Sequence, residues 1–269
     1  MHKHIDTTTA FYGTGIPPQH KLFKIKSGSY ANRMIAVYPE SPGTIVLSYS
    51  DPPYTVWSTP GILTNSSANQ PCTAFLDDDN NLYFAYVSST LELKFIKCTF
   101  VAGTWMPGTE RTICNDGENY HPSLVREEGG KLWIAWCHLD TSSMHYTIRV
   151  KNSTDDGAVW GSGPGDTGTA LTTVSVYSGY VALVLTSGHL NAVYWSYGNS
   201  LNFSKYPLSG GSWTAEELIW SINSLEFHFS AAVSSDGRLG VAFFAVSGYP
   251  GIKYREYNGS SWGGLYSIQ

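Results

Sequence analysis

Two histidines stand at matched distances from one predicted hairpin turn. The turn centres near Gly129, and His121 and His138 lie eight and nine residues from it. Counting outward from the turn, the sequence predicts that the two imidazoles are near cross-strand neighbours at one end of the hairpin. His145 and Tyr146 begin the next predicted strand at the same end. Imidazole and phenol groups donate and accept hydrogen bonds, and imidazole also exchanges protons near neutral pH. This end of the hairpin therefore offers groups for polar ligand binding or acid–base chemistry.

A third histidine occupies a repeated position. His228 precedes Leu239 by 11 residues, just as His121 precedes Leu132. The equal spacing predicts that both side chains face one common opening. If the ligand requires neutral imidazoles, binding should weaken as the pH crosses the imidazole range near about 6.5. The predicted ligand-binding residues are His121, His138, His145, Tyr146 and His228, and the candidates for catalysis among them are His121, His138 and Tyr146.

Other chemistries lack the spacing they need. No carboxylate or further ligand is placed by spacing to complete a metal site, and the four cysteines include no CxxC pair. The acidic turn at 77–81 lacks the glycine and the glutamate of an EF-hand calcium loop. We therefore predict neither a metal nor a cofactor. Glycoside hydrolysis needs two carboxylates, and Glu118, Asp140 and Glu226 lie near the predicted site without a separation fixed by the sequence.

The elements that must position these residues repeat along the chain. Each copy has an aliphatic residue, a small residue at +3 and an aromatic at +4, with one inversion in the fourth copy. The first residues are 37, 50, 58 and 49 apart, and a tryptophan follows each copy. A period of about 50 residues with several short strands per unit is typical of β-propeller blades. The copies begin at Ile45, Leu82, Leu132, Leu190 and Leu239, and the tryptophans are Trp57, Trp105, Trp160, Trp213 and Trp262.

The repeat predicts an all-β fold: a single β-propeller of five blades, each with four antiparallel strands. Six blades are the alternative, if residues 1–30 and the long third unit supply another sheet. The propeller is expected to span 31–269, and residues 1–30 form an N-terminal arm or a partial blade. The periodic tryptophans should fill the space between blades. Trp133, Trp195 and Trp220 lie outside the period and are expected to be freer to contact a ligand.

One unit contains a turn motif of serine, aspartate, glycine and tryptophan, at Ser153, Asp155, Gly157 and Trp160. The motif resembles the Asp box of sialidase-like propellers, and the resemblance implies the propeller fold. In such a turn the carboxylate accepts backbone N–H groups, the glycine takes a positive φ and the tryptophan packs between blades. The motif is therefore structural and does not imply sialidase activity. The Gly-Ser-Trp unit ends and the many tyrosines also resemble the blades of lectin propellers.

The segment 119–124, Asn-Tyr-His-Pro-Ser-Leu, followed by His138, resembles a hairpin of the propeller polysaccharide lyases that degrade ulvan. Those enzymes use paired histidines with a tyrosine and an arginine as base, acid and charge neutraliser in β-elimination at a uronate. The resemblance implies such roles for His121, His138 and Tyr146, with Arg149 as the arginine. Because strand side chains alternate, the odd spacing places Arg149 and Tyr146 on opposite sides of their strand.

The composition of the chain limits the classes of partner that we expect. Charged residues make up 14% of the chain and the formal charge is −5, so we expect no nucleic acid partner. We also expect no membrane insertion, because no apolar run approaches the roughly 20 residues of a membrane helix. The first residues carry no apolar stretch of a signal peptide. A location outside the cell, or on a virion or cell surface, is nevertheless expected from the resemblances.

The function predicted from the sequence is carbohydrate binding. In this interpretation the protein is a lectin-like or adhesin-like propeller whose partner is a glycan or polysaccharide, bound at one end of the central channel. A glycan-cleaving enzyme, either a polysaccharide lyase or a glycosidase, is the first alternative. The second is a structural or assembly propeller such as a virion component, with residues 1–30 supporting an oligomer or a larger assembly.

Overall fold

The strands follow the repeat of the sequence. The computed structural model describes residues 5, 8–10, 19–67, 72–172, 179–196, 200–221, 228–245 and 251–268. This part of the chain forms five antiparallel sheets and contains no α-helix, so it holds no helix that could cross a membrane. We number the sheets as blades 1 to 5 in chain order.

Each blade has its strands in sequence order. Blade 1 contains β1 (Leu22–Lys24), β2 (Met34–Ser41), β3 (Thr44–Ser50) and β4 (Gly61–Thr64). Blade 2 contains β5 (Thr73–Leu76), β6 (Leu82–Val87), β7 (Leu93–Val101), β8 (Thr104–Pro107) and β9 (Arg111–Cys114). Blade 3 contains β10 (Glu118–Arg126), β11 (Leu132–Asp140), β12 (His145–Ser153) and β13 (Thr169–Ala170). Blade 4 contains β14 (Val181–Thr186), β15 (His189–Ser196), β16 (Ser200–Pro207) and β17 (Glu217–Ser221). Blade 5 contains β18 (Phe229–Val233), β19 (Leu239–Ala245), β20 (Gly251–Tyr257) and β21 (Tyr266–Ile268). In blade 2, β8 and β9 both pair with β7 and together take the place of a fourth strand.

The first strands of all five blades surround one central cavity. The cavity has a volume of about 330 Å³, and each of the five strands contributes to its lining: Phe23, Phe75, Leu124, Val184 and Ala232. Sheets arranged in this way around one axis form a β-propeller. The prediction of an all-β propeller with five four-stranded blades is confirmed. We call the end at which the first strands of blades 2–5 begin the mouth, and the end with the turns between their first and second strands the hairpin end.

Packing between neighbouring blades explains why the sequence repeats. Four apolar cores lie between successive blades, from blades 1 and 2 to blades 4 and 5. Burying one large aliphatic or aromatic side chain in such a core contributes about 1.5–3 kcal/mol. In blades 2–5 the repeated segment forms the second strand, which lies at the centre of these cores. In blade 1 it forms β3, because β1 pairs with β2 ahead of it.

How fully the second strand of a blade is buried depends on how many neighbouring blades cover it. In β11 every residue from Leu132 to Leu139 is buried, because both faces are covered by other blades. In β19 burial alternates: Leu239, Val241 and Phe243 are buried, and the residues between them are partly exposed. Within the described part of the chain, blade 5 therefore packs closely through one face, against blade 4.

The burial of the tryptophans tests two expectations from the sequence. Trp105 and Trp160 are buried as predicted, while Trp213 and Trp262 are only partly buried against the cores. The expectation that Trp133 and Trp195 are free for a ligand is wrong, because both are almost completely buried. Both residues lie outside the repeat period, but the strands that carry them lie between two blades, so both faces of these strands are covered.

The turn motif in blade 3 has the geometry of a structural element. Asp155 accepts the Val159 N–H at 2.9 Å and the Ser153 hydroxyl at 2.7 Å. Gly157 has φ +89°, and its N–H donates to Ser153 Oγ at 3.0 Å. The ring of Trp160 packs edge-on against Phe95 of blade 2, with ring centroids 5.2 Å apart. These contacts tie the turn of blade 3 to the neighbouring blade.

Candidate functional site at the mouth

A β-bulge positions His121 at the mouth of blade 3. Tyr120 pairs with Cys137, but the next paired residue of β10 is Ser123, opposite Ala135, so β10 carries one extra residue here. Pro122 has no N–H to give to the ladder, and a proline disfavours the right-handed helical conformation of the residue before it. His121 takes φ +50°, in the left-handed region that non-glycine residues seldom adopt. Strain of this kind concentrates at functional sites.

His121 is buried with part of its imidazole unpaired. Its exposed fraction is 6%, and its ring stacks on Tyr180 with centroids 4.5 Å apart and an interplanar angle of 25°. Within the described part of the chain, Nδ1 has no hydrogen-bond partner. Burial lowers the pKa of His121 to about 4, so the ring is neutral at pH 7. A buried polar atom without a partner is costly unless a ligand or water satisfies it.

Tyr120 lies beside His121 and also contacts a second tyrosine and a carboxylate. The Tyr120 ring is 6.0 Å from the His121 ring and 6.2 Å from the Tyr146 ring, and its hydroxyl donates to Glu118. Glu118 and Tyr146 both pair with Leu139 in the sheet, so the two side chains share one face. Burial raises the pKa of Tyr146, so its hydroxyl keeps its proton at neutral pH. We call the group of Glu118, Tyr120, His121, Tyr146 and Tyr180 the mouth cluster.

His138 does not belong to this cluster. Its cross-strand partner is Asn119, two residues before His121. The predicted near cross-strand placement of the two imidazoles is not found: the register that starts at Arg126 and Leu132 would set His121 opposite Cys137, and the bulge then sets Asn119 opposite His138. His138 lies on the sheet face of Trp136, which packs toward blade 2, while His121 stacks on Tyr180 at the start of blade 4.

Asn119 fixes the protonation of His138. The Asn119 side-chain oxygen accepts Trp136 Nε1 at 2.7 Å and also lies 3.2 Å from His138 Nδ1. An amide oxygen only accepts, so Nδ1 carries the proton and Nε2 is left as the acceptor. Burial and the nearby positive charge of Arg149 lower the pKa of His138. Arg149 itself pairs with Trp136 in the sheet, so it shares the face of His138 and not that of Tyr146.

The other two predicted histidines do not join the mouth cluster, although His145 precedes Tyr146 in the chain and faces the other side of β12. His145 is exposed and stands opposite Asp140, at the turn between β11 and β12. His228 is exposed and lines a separate cavity of about 400 Å³ formed by blade 5 with Phe244 and Ile252. The structure thus brings together His121 and Tyr146 of the five predicted residues.

The predicted carboxylates have other roles or lie outside the described residues. Glu118 accepts the Tyr120 hydroxyl, and Asp140 accepts the N–H and hydroxyl groups of Ser142 and Ser143. Glu226 falls in a segment outside the described residues. Among those residues, no three His, Cys, Asp or Glu side chains form a group that could hold a metal ion.

Three residues at the site were not predicted from the sequence: Tyr120, Tyr180 and Gln19. Gln19 is buried and donates from Nε2 to the Pro122 carbonyl at 3.1 Å, next to the bulge, while its Oε1 has no partner among the described residues. Tyr180 stands ten residues before Leu190, one short of the 11 between His121 and Leu132. The repeat thus signalled Tyr180, whereas no pattern in the sequence marks Gln19.

Comparison with known proteins finds similar folds but no similar sequence. No family model and no curated protein matches this sequence. The structure is similar to an ulvan lyase from a new family of polysaccharide lyases, with TM-score 0.67 and 11% identity over 99% of this chain and 74% of that chain. It is also similar to the sialidase of Trypanosoma rangeli, with TM-score 0.62 and 13% identity over 99% of this chain and 52% of that chain.

A third similar structure is a lectin. The fucose-recognising lectin of Aleuria aurantia, a six-bladed β-propeller, matches with TM-score 0.59 and 12% identity over 90% of this chain and 76% of that chain. The similar structures thus fall in the sialidase-like and lectin-like propeller superfamily that the sequence motifs resemble. At these identities the likeness shows a shared fold.

Proposed function

We propose that the protein binds a glycan through the mouth cluster. The observation that carries this proposal is His121, which is held at positive φ and buried with Nδ1 unpaired among the described residues. A buried polar atom on a backbone with positive φ costs folding free energy unless a water, an ion or a ligand completes its hydrogen bonding, and a ligand is the partner proposed for Nδ1.

The chemistry of the cluster suits a sugar. Tyr146 is partly exposed, and aromatic rings stack on the C–H faces of sugars. A neutral imidazole offers one donor and one acceptor, which matches a hydroxyl group that both donates and accepts. The similar structures support the class of ligand, since they include a fucose-recognising lectin and an ulvan lyase bound to a glucuronate–sulfated rhamnose unit.

The test is glycan binding by matched histidine variants. On an array of neutral and uronate-containing glycans, His121→Asn should lose at least about tenfold in affinity for the bound glycan, the equivalent of one hydrogen bond near 1.4 kcal/mol. Asparagine tolerates positive φ better than other residues, so the backbone should persist. His145→Asn is the control, because it makes the same change at an exposed histidine outside the cluster. Equal glycan binding by wild type and His121→Asn would remove the mouth cluster as the site and favour an assembly role.

Glycan cleavage by β-elimination is the second candidate function. The observation in its favour is that the neutral imidazole of His121 and the protonated phenol of Tyr146 both contact the Tyr120 ring, and a pKa of about 4 makes this imidazole a weak base. Against it, Arg149 lies on the opposite sheet face, so this cluster contains no cation to neutralise a uronate. Ultraviolet absorbance from an unsaturated uronate after incubation with polyuronates would establish a lyase, and its absence alongside measurable binding would establish a binder.

A further inference from the structure

A further cavity lies at the hairpin end, between blades 4 and 5. Its volume is about 240 Å³, and it is lined by the turns that begin the second strands of both blades and by the end of β20. This is below the roughly 300 Å³ at which pockets for drug-sized ligands begin, so the cavity suits a small group. Its polar lining includes Lys205, His189, Asp236 and Arg238.

The ammonium group of Lys205 has only neutral partners. It donates to the Tyr257 hydroxyl at 2.8 Å and to the Gly259 carbonyl at 3.3 Å. No carboxylate of the described residues lies within 4.0 Å of it. An ammonium has three donors, so at least one remains for a further acceptor.

The acidic groups nearby are engaged by an arginine. Arg238 donates to Asp236 from both Nε and Nη2, and to Glu256 from Nη1 at 2.7 Å. Asp236 also accepts the hydroxyl of Ser234. The formal charges of the four side chains cancel, with Lys205 and Arg238 positive and Asp236 and Glu256 negative. Both carboxylates contact Arg238, however, and Lys205 has no negatively charged group at close range.

The repeat supplies an internal comparison. Lys205 pairs with Asn191, the residue after Leu190, and Lys97 of blade 2 pairs with Tyr83, the residue after Leu82. The two lysines therefore hold the same position in different blades. Lys97 forms an ion pair with Asp156, from the loop that follows the third strand of the next blade. The corresponding loop of blade 5, 258–261, reads Asn-Gly-Ser-Ser and contains no acid.

We infer that the cavity between blades 4 and 5 binds the anionic group of a ligand, which takes the place that Asp156 occupies between blades 2 and 3. The group is a small oxyanion: a carboxylate, as on a uronic acid, or a sulfate or phosphate, free or esterified. Lys205 is the residue that holds it. The site lies at the hairpin end, away from the mouth cluster, and does not depend on the function proposed there.

The test uses titration calorimetry with glucuronate, inorganic sulfate and inorganic phosphate as separate probes. Wild type should bind at least one of them, and Lys205→Met should weaken that binding tenfold or more. Lys26→Met is the matched control: Lys26 lines a cavity of about 260 Å³ at blade 1, but it already pairs with Asp78 at 3.2 Å. This control should bind like wild type.

A second variant keeps Lys205. Ser260→Asp places a carboxylate in the acid-free loop, where it should compete for Lys205 and reduce anion binding as strongly as Lys205→Met. His121→Asn should leave anion binding unchanged, which separates this site from the mouth cluster. Failure of wild type to bind any probe, or equal binding by wild type, Lys205→Met and Ser260→Asp, would overturn the inference.

Discussion

Gly157 offers a direct measure of how tightly the turn of blade 3 is fitted against blade 2. A Cβ added at this position would lie 2.1 Å from Cε1 and 2.6 Å from Cζ of Phe95. Phe95 has little freedom to move, because its ring packs between Trp160 at 5.2 Å and Tyr83 at 6.3 Å. The φ of Gly157 is +89°, which also disfavours any residue with a Cβ.

The magnitude follows from these two effects. A left-handed backbone costs an alanine roughly 1–2 kcal/mol. Forcing extra volume into a packed core costs about 1–3 kcal/mol more. Gly157→Ala should therefore lower the free energy of unfolding by about 2–5 kcal/mol. Gly188→Ala is the matched control, since Gly188 has φ +78° and no atom within 4 Å of the added Cβ. It should lose only the backbone part, about 1–2 kcal/mol.

Urea unfolding of the two variants, followed by tryptophan fluorescence, measures the difference. If Gly157→Ala and Gly188→Ala lose the same stability, then Phe95 yields without cost and the turn is not held against blade 2 in the way described. A larger loss in Gly157→Ala alone would show that the Ser153–Trp160 motif acts through interblade packing.

Three further changes test other parts of the structure. Burial lowers the pKa of His121 from 6.5 to about 4, so the folded state binds fewer protons than the unfolded chain between these pH values. The free energy of unfolding should therefore be highest above pH 6.5 and should fall by roughly 3 kcal/mol as the pH is lowered to 4. Urea unfolding at several pH values should show a flatter dependence in His121→Asn than in wild type, and parallel curves would refute the assignment. Trp105→Ala should cost about 3–5 kcal/mol, and Trp213→Ala less, since Trp213 is partly exposed; calorimetric melting that ranks them the other way would contradict the packing described. Asn119→Ala leaves the buried Trp136 N–H without its acceptor, while the Leu91 carbonyl keeps the backbone N–H of residue 119 at 3.1 Å, so we expect a loss of about 1–3 kcal/mol in the free energy of unfolding; a loss below about 0.5 kcal/mol would show that the Trp136 N–H finds another acceptor.

The repeat predicted the fold because the same packing problem recurs in every blade. Each second strand must cover the strand opposite it in the next blade, so aliphatic and aromatic residues return at a nearly constant interval. The interval also located Trp105 and Trp160 correctly. It failed for Trp133, because a period records which positions pack in common and does not show that both faces of β11 are covered.

The site was less predictable because it depends on a departure from the period. One extra residue at the bulge moves Tyr120 opposite Cys137 and Asn119 opposite His138, while His121 leaves the ladder and stacks on Tyr180. Pro122 was visible in the sequence as a residue that interrupts a ladder, but which face the preceding side chain then takes depends on the neighbouring blade. Likewise, Gln19 reaches the bulge only because the chain before β1 passes beside blade 3.

The alternating burial of β19 has a consequence for how the protein opens. In a ring of units that stabilise one another through their faces, the unit with one well-covered face loses least when it separates. Local opening should therefore begin at blade 5, and the backbone amides of β19 should exchange with deuterated solvent sooner than those of β11, whose two faces are both covered. The cavity that contains Lys205 lies between blades 4 and 5. An anion bound there would therefore slow this exchange, because binding would stabilise the contact of blade 5 with blade 4.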